Sequence, residues 1–108
     1  MRNEAGIKNL AQRLRQQYGK DIHAIIVFGS VARHSDDGGS DIDVMIVFDS
    51  QKHTVDWRLQ REVRSLALPV ELEEDVVFDL KVAGNQDLQG LRGHTPFIER
   101  VLSEGVRV

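Results

Sequence analysis

Apolar residues recur along this chain in two rhythms, one helical and one extended. Ile7, Leu10, Ala11, Leu14 and Tyr18 fall at i, i+3, i+4, i+7 and i+11, a single stripe that predicts a helix over residues 4–18. Gly19 follows as its C-cap. Residues 22–28 (IHAIIVF) are short, apolar and β-branched, which suits a mostly buried strand. Gly29-Ser30 ends that strand; residues 30–34 suit one or two helical turns, and 35–40 (SDDGGS) a loop. Residues 41–49 (DIDVMIVFD) alternate most cleanly. Ile42, Val44, Ile46 and Phe48 take one face of a strand, and Asp41, Asp43, Met45, Val47 and Asp49 the other. Val55, Leu59, Val63 and Leu66 predict a second helix from about Thr54 to Leu68, closed by Pro69. Residues 76–83 (VVFDLKVA) read as a third strand, with Gly84-Asn85 turning into a short helix. Thr95-Pro96 opens a last helix through Leu102, Gly105 ends it, and residues 106–108 suit a short edge strand. The order α-β-(α)-β-α-β-α-α predicts an α/β (α+β) fold, a small mixed β-sheet with its helices mainly on one face. With no repeat and no linker in its 108 residues, one domain over 1–108 is expected.

Composition narrows the function. Fourteen Lys and Arg against 17 Asp and Glu leave a net charge of −3, which argues against coating a polymeric nucleic acid through its phosphates but not against binding one nucleotide through metal ions. The absence of cysteine excludes disulfides, thiolate zinc sites and Cys nucleophiles. No apolar run approaches the roughly 18 residues of a membrane span, and the first residues carry no apolar signal core. A cytoplasmic protein without membrane partners is expected.

The candidate chemistry lies in Phe28-Gly29-Ser30, in Asp41-Ile42-Asp43-Val44 ten residues on, and in Asp79 within the third strand. Each piece alone is a weak signal; together, with apolar flanks, they are specific. Asp41 and Asp43, two apart on a strand, project from one face with backbones roughly 6–7 Å apart. Two carboxylates so placed repel unless a cation lies between them. Mg²⁺ is commonly held by one or two carboxylates plus substrate phosphates, and two such ions can clamp an in-line phosphoryl displacement. Asp79, on a neighbouring strand, would complete the cage and could orient or deprotonate an incoming hydroxyl. Gly29 allows phosphates to approach the backbone, the turn after it offers free N–H groups, and the Ser30 hydroxyl is a further donor. Arg33, one turn later, could meet a phosphate or form a structural salt bridge, and Ser40 either caps the turn into the strand or touches a phosphate.

Gly29-Ser30-Val31-Ala32-Arg33, followed by Ser40-Asp41-Ile42-Asp43, resembles the signature of the minimal nucleotidyltransferases of the DNA polymerase β-like nucleotidyltransferase superfamily. Phe78-Asp79-Leu80-Lys81-Val82 is similar to that family's third-carboxylate strand, and Pro96 to Gly105 to its C-terminal ending, so the resemblance spans most of the chain. It implies a polymerase β palm-like fold and transfer of AMP from ATP to a hydroxyl, dependent on two Mg²⁺ ions, with pyrophosphate released. Asp41 and Asp43 match the family's metal-binding pair, Gly29 and Ser30 its phosphate-binding pair, and Asp79 its third acid. Small stand-alone members are often antitoxins encoded beside a HEPN-domain RNase toxin, and some adenylylate a tyrosine of it; a HEPN-type toxin is the partner the resemblance implies. Two alternatives stay open: a non-catalytic toxin-binding module, and a small-molecule nucleotidyltransferase of the aminoglycoside-modifying type. A homodimer and a hetero-oligomer are both compatible with the sequence.

The same residues have plainer readings. Asp41 and Asp43 could be a solvated strand face like Asp49. Asp75 rivals Asp79, but it follows Glu71, Glu73 and Glu74, which read as a solvated acidic run, whereas a carboxylate set in apolar sequence asks for a partner. Asp36 and Asp37 read as loop residues. Lys81 could simply pair with Asp79. His23, His34, His53 and His94 show no metal-ligand spacing. Trp57 lies off the main helical stripe; a single exposed aromatic is ordinary, and it is also what a partner interface uses. Phe28, Phe48 and Phe78 read as core residues, not as a base-stacking platform.

Overall fold

The computed structural model describes residues 3–29, 41–91 and 94–108. The predicted helical turns at 30–34 and the loop at 35–40 lie outside these residues, and so do Ser30, Arg33 and Ser40. Helix α1 (Glu4–Tyr18) leads through one 3₁₀ turn into β1 (Ile22–Phe28). Then follow β2 (Ile42–Phe48), α2 (Trp57–Glu74), β3 (Phe78–Gly84), α3 (Asn85–Leu91), α4 (Pro96–Glu104) and β4 (Val106–Arg107). The strands form one mixed sheet in the order β3-β2-β1-β4, with β2 and β3 parallel and the other neighbours antiparallel.

The strand alternation read from the sequence separates two apolar layers. Ile42, Val44, Ile46 and Phe48 pack with Ile25 and Val27 against the α1 stripe and against Leu59, Val63, Ala67 and Val70 of α2. Met45, Val47, Ala24 and Ile26 face the opposite way, onto Leu88 of α3 and onto Ile98 and Val101 of α4. The two long helices therefore share one face, and the two short ones cover part of the other. A bulge between Ile22 and Ala24 shifts the register, so that Ile22 and Ile25 both point into the larger layer.

Helix α2 departs from its sequence reading at both ends. It begins at Trp57, where Asp56 caps it by accepting from the backbone N–H groups of Arg58 and Leu59 at 3.0 and 3.1 Å. It also continues past Pro69, which lies inside the helix. An interior proline removes a backbone hydrogen bond and crowds the preceding turn, at a cost of about 3 kcal/mol. Here the ring faces solvent, and the extra turn buries Val70 completely.

That turn also brings Glu71 to the start of β3. Its carboxylate accepts from the Phe78 N–H at 2.8 Å and pairs with Arg64, whose guanidinium donates to the Phe78 carbonyl at 3.0 Å. Glu71 is thus a nearly enclosed structural residue rather than part of a solvated run; its side chain is 9% exposed. Asp75 is the left-handed C-cap of α2 and lies off the strand.

Candidate functional site

The site residues that are described meet where the C-terminal end of β1 lies beside the N-terminal ends of β2 and β3. Phe28 pairs with Asp43 across the antiparallel ladder, and Asp43 pairs with Asp79 across the parallel one. Residues opposite each other in a ladder present their side chains on the same face, so Asp43 and Asp79 stand side by side. The Asp43 carboxyl is pushed above its usual range, first by burial, then by the charge of Asp79 and a hydrogen bond with it, and more weakly by the charge of Asp41. Lys81 works in the other direction and lies 3.6 Å from Asp79 in a half-exposed ion pair.

Gly29 closes the corner. Its φ of +77° is in the left-handed region, and a Cβ built there would overlap Asp43 Oδ2. Two physical requirements, backbone conformation and close approach, therefore select glycine at this position. The carboxylate of Asp43 lies against bare backbone.

Among the described residues, no three acidic or histidine side chains gather tightly enough to hold an ion unaided. Asp43 and Asp79 form a close pair, and Asp41, exposed at the start of β2, acts on Asp43 through charge alone. In kind the donors fit a hard divalent cation, being carboxylate oxygens whose mutual repulsion such an ion would relieve.

Helix α4 supplies residues that sequence reading did not single out. Phe97, Arg100, Val101 and Glu104 join Phe28, Gly29 and Asp43 around a cavity of about 180 Å³. Phe28 is only half-buried and meets Phe97 edge-to-face, with ring centroids 5.8 Å apart, so it is a wall of this cavity as well as a core residue. On the other side, Trp57, Gln60, Arg61 and Arg64 of α2 line a groove with Asp79 and Leu80 of β3. Trp57 is largely exposed, with the Arg58 guanidinium 5.2 Å from its ring centroid. His53 and His23 lie near Asp21 and Asp49, away from this corner.

Comparison with known proteins decides the family. Residues 8–108 match the family model described as polymerase beta, nucleotidyltransferase. The chain belongs to the polymerase beta nucleotidyltransferase family. Solved structures share the nucleotidyltransferase fold at low identity. A toxin–antitoxin crystallised with AMP-PNP aligns with a TM-score of 0.60 and 22% identity, over 93% of this chain and 70% of that one. A mutant of the MntA-HpeT toxin–antitoxin aligns at 0.57 and 19%, over 99% and 71%. A protein described as a nucleotidyltransferase from Sulfolobus solfataricus aligns at 0.56 and 20%, over 96% and 82%. No curated protein matches the sequence significantly. Among the described residues, no helix of this nucleotidyltransferase is long and apolar enough to cross a membrane.

The Asp43–Asp79 pair gives a first testable outcome for the metal-free chain. A carboxyl whose proton is held more tightly in the folded state favours folding at low pH. That contribution is lost as pH rises from the ordinary carboxylate range through the elevated folded value. Asp43→Asn, measured in EDTA, is therefore expected to melt above the wild type at pH 8. The gain is about 0.5 kcal/mol, or roughly 2–4 °C, for relief of one cross-strand like-charge contact. The difference should vanish as pH falls toward 4. Equal melting curves at both pH values would mean that the two carboxylates do not oppose each other.

Proposed function

We propose that this nucleotidyltransferase is a single-domain, Mg²⁺-dependent enzyme that transfers AMP from ATP to a hydroxyl, and that the acceptor is a tyrosine of a HEPN-type toxin for which it is the antitoxin. The observation that carries the reading is the Asp43–Asp79 pair set in register against Gly29. Asp41, Asp43 and Asp79 would hold the ions. When bound, those ions supply neutralisation of the triphosphate and of the charge developing on the leaving pyrophosphate.

The protein's own groups do the rest. Gly29 leaves room for phosphates along the backbone, with Ser30, Arg33 and Ser40 as further donors in this proposal. Asp79 accepts the proton of the acceptor hydroxyl as its oxygen bonds to the α-phosphorus; the bond from that phosphorus to the pyrophosphate oxygen breaks, and pyrophosphate leaves. The groove beside Trp57 and Arg61 gives Asp79 a second approach, open from the edge of the sheet. That supports an acceptor presented by another protein, with ATP on the Gly29 side. The toxin–antitoxin character of two similarly folded proteins, one of them with AMP-PNP, points the same way. Cytoplasmic location follows from this role.

The test is to incubate the chain with ATP, Mg²⁺ and the HEPN-type protein encoded beside it, then weigh that protein by intact mass spectrometry. The expected result is a gain of one or more AMP masses that disappears in EDTA. A stable complex with no mass gain would leave a binding-only antitoxin, and the catalytic account would fall.

A further inference from the structure

We infer that the cavity between β1 and α4 seats the nucleoside part of the nucleotide, with the Phe97 ring as its stacking surface and Arg100 as its cation. This deepens, and rests on, the nucleotide-binding part of the function proposed above. Phe97 is 47% exposed, whereas Ile98 and Val101 of the same helix are buried. Its ring is nonetheless held in place, near-perpendicular to that of Phe28 with centroids 5.8 Å apart. It lines the cavity that also reaches Gly29 and Asp43. Arg100 lies one helical turn on and lines the same space. A purine offers the flat π-face that an aromatic ring and a guanidinium both stack on.

Size fixes how much of the ligand this cavity takes. At about 180 Å³ it falls below the roughly 300–1,000 Å³ of a complete small-molecule pocket. It therefore accepts part of a nucleotide, while the phosphates extend past Gly29 to the Asp43–Asp79 pair. The groove at Trp57 is larger, about 460 Å³, but Gly29 does not line it. A triphosphate held at Gly29 places its nucleoside on the α4 side.

Calorimetry with two probes tests this on the full chain: ATP, and inorganic tripolyphosphate, which has the phosphates but no nucleoside, each with Mg²⁺. Phe97→Ala is expected to weaken ATP about tenfold and to leave tripolyphosphate within twofold, and Phe97→Trp to bind ATP as the wild type does. Circular dichroism checks that both variants keep the wild-type fold. Equal weakening of both probes, or no weakening of either, would overturn the nucleoside seat while leaving the phosphate site standing. A wild-type chain that binds neither probe would overturn the nucleotide-binding reading and the seat with it.

Discussion

On the proposed function, Asp43→Asn should lower AMP transfer by about 10³-fold, equivalent to roughly 4 kcal/mol of transition-state stabilisation, with complex formation and fold intact. The substitution keeps the shape of the side chain and its hydrogen bond toward Asp79, but removes the charge that would meet a cation. Asp43 is chosen over Asp41 because it lies at the junction of three features. It is the cross-strand partner of Phe28, the neighbour of Asp79, and the group that Gly29 leaves room for. The loss should appear in kcat, since phosphate contacts at the glycine turn remain. Quenched-flow or gel-based rates at saturating ATP and Mg²⁺ provide the check. A variant that retains more than a tenth of the rate would remove Asp43 from the chemistry. The same substitution is expected to raise the stability of the metal-free chain, so activity and stability should move in opposite directions.

Phe48→Ala should cost about 3–5 kcal/mol, the largest stability loss expected from one side chain here. Phe48 is fully buried at the end of β2. Tyr18 of α1 packs edge-on at 4.9 Å between centroids, and His53 lies at 5.2 Å. Tyr18 in turn donates to Glu62 of α2, and its own pKa is raised by burial, with Glu62 adding to the shift. Truncation at 48 would open a cavity under three elements at once. Domains of this size have only about 5–15 kcal/mol of stability, so the midpoint in urea should fall by roughly a fifth or more. A midpoint shift worth less than 1 kcal/mol would show that the α1–α2 layer closes over the gap.

Most of the fold was legible because the helices bury one stripe each and the two central strands are apolar on both faces. The stripe on α1 names its buried residues, and the alternation on β2 sorts its residues between the two layers. The end of α2 was not legible. Pro69 carries a strong local stop signal, and what overrides it is tertiary: burial of Val70, and a bond from Glu71 to a strand residue seven positions on. At the site, Asp79 could be found because a carboxylate set among Val77, Phe78 and Leu80 needs a reason to be there. Its position opposite Asp43 depends on strand register, which local pattern does not state. Phe97 and Arg100 left no signal, because their helix carries an ordinary amphipathic stripe. Only the return of α4 over β1 brings them beside Gly29, about 70 positions earlier in the chain.

The bond pair from Arg64 and Glu71 to the backbone of Phe78 has a consequence for how such a chain can change length. Side chains on a strand swap faces with every one-residue slip. If β3 advanced by one position, Leu80 would replace Asp79 beside Asp43, and the carboxylate would turn toward the α2 layer. Insertions in the Gln51–Val55 connection before α2 leave this arrangement untouched. A single deletion between Glu71 and Phe78 does not, and is expected to silence the enzyme while the rest of the molecule stays folded.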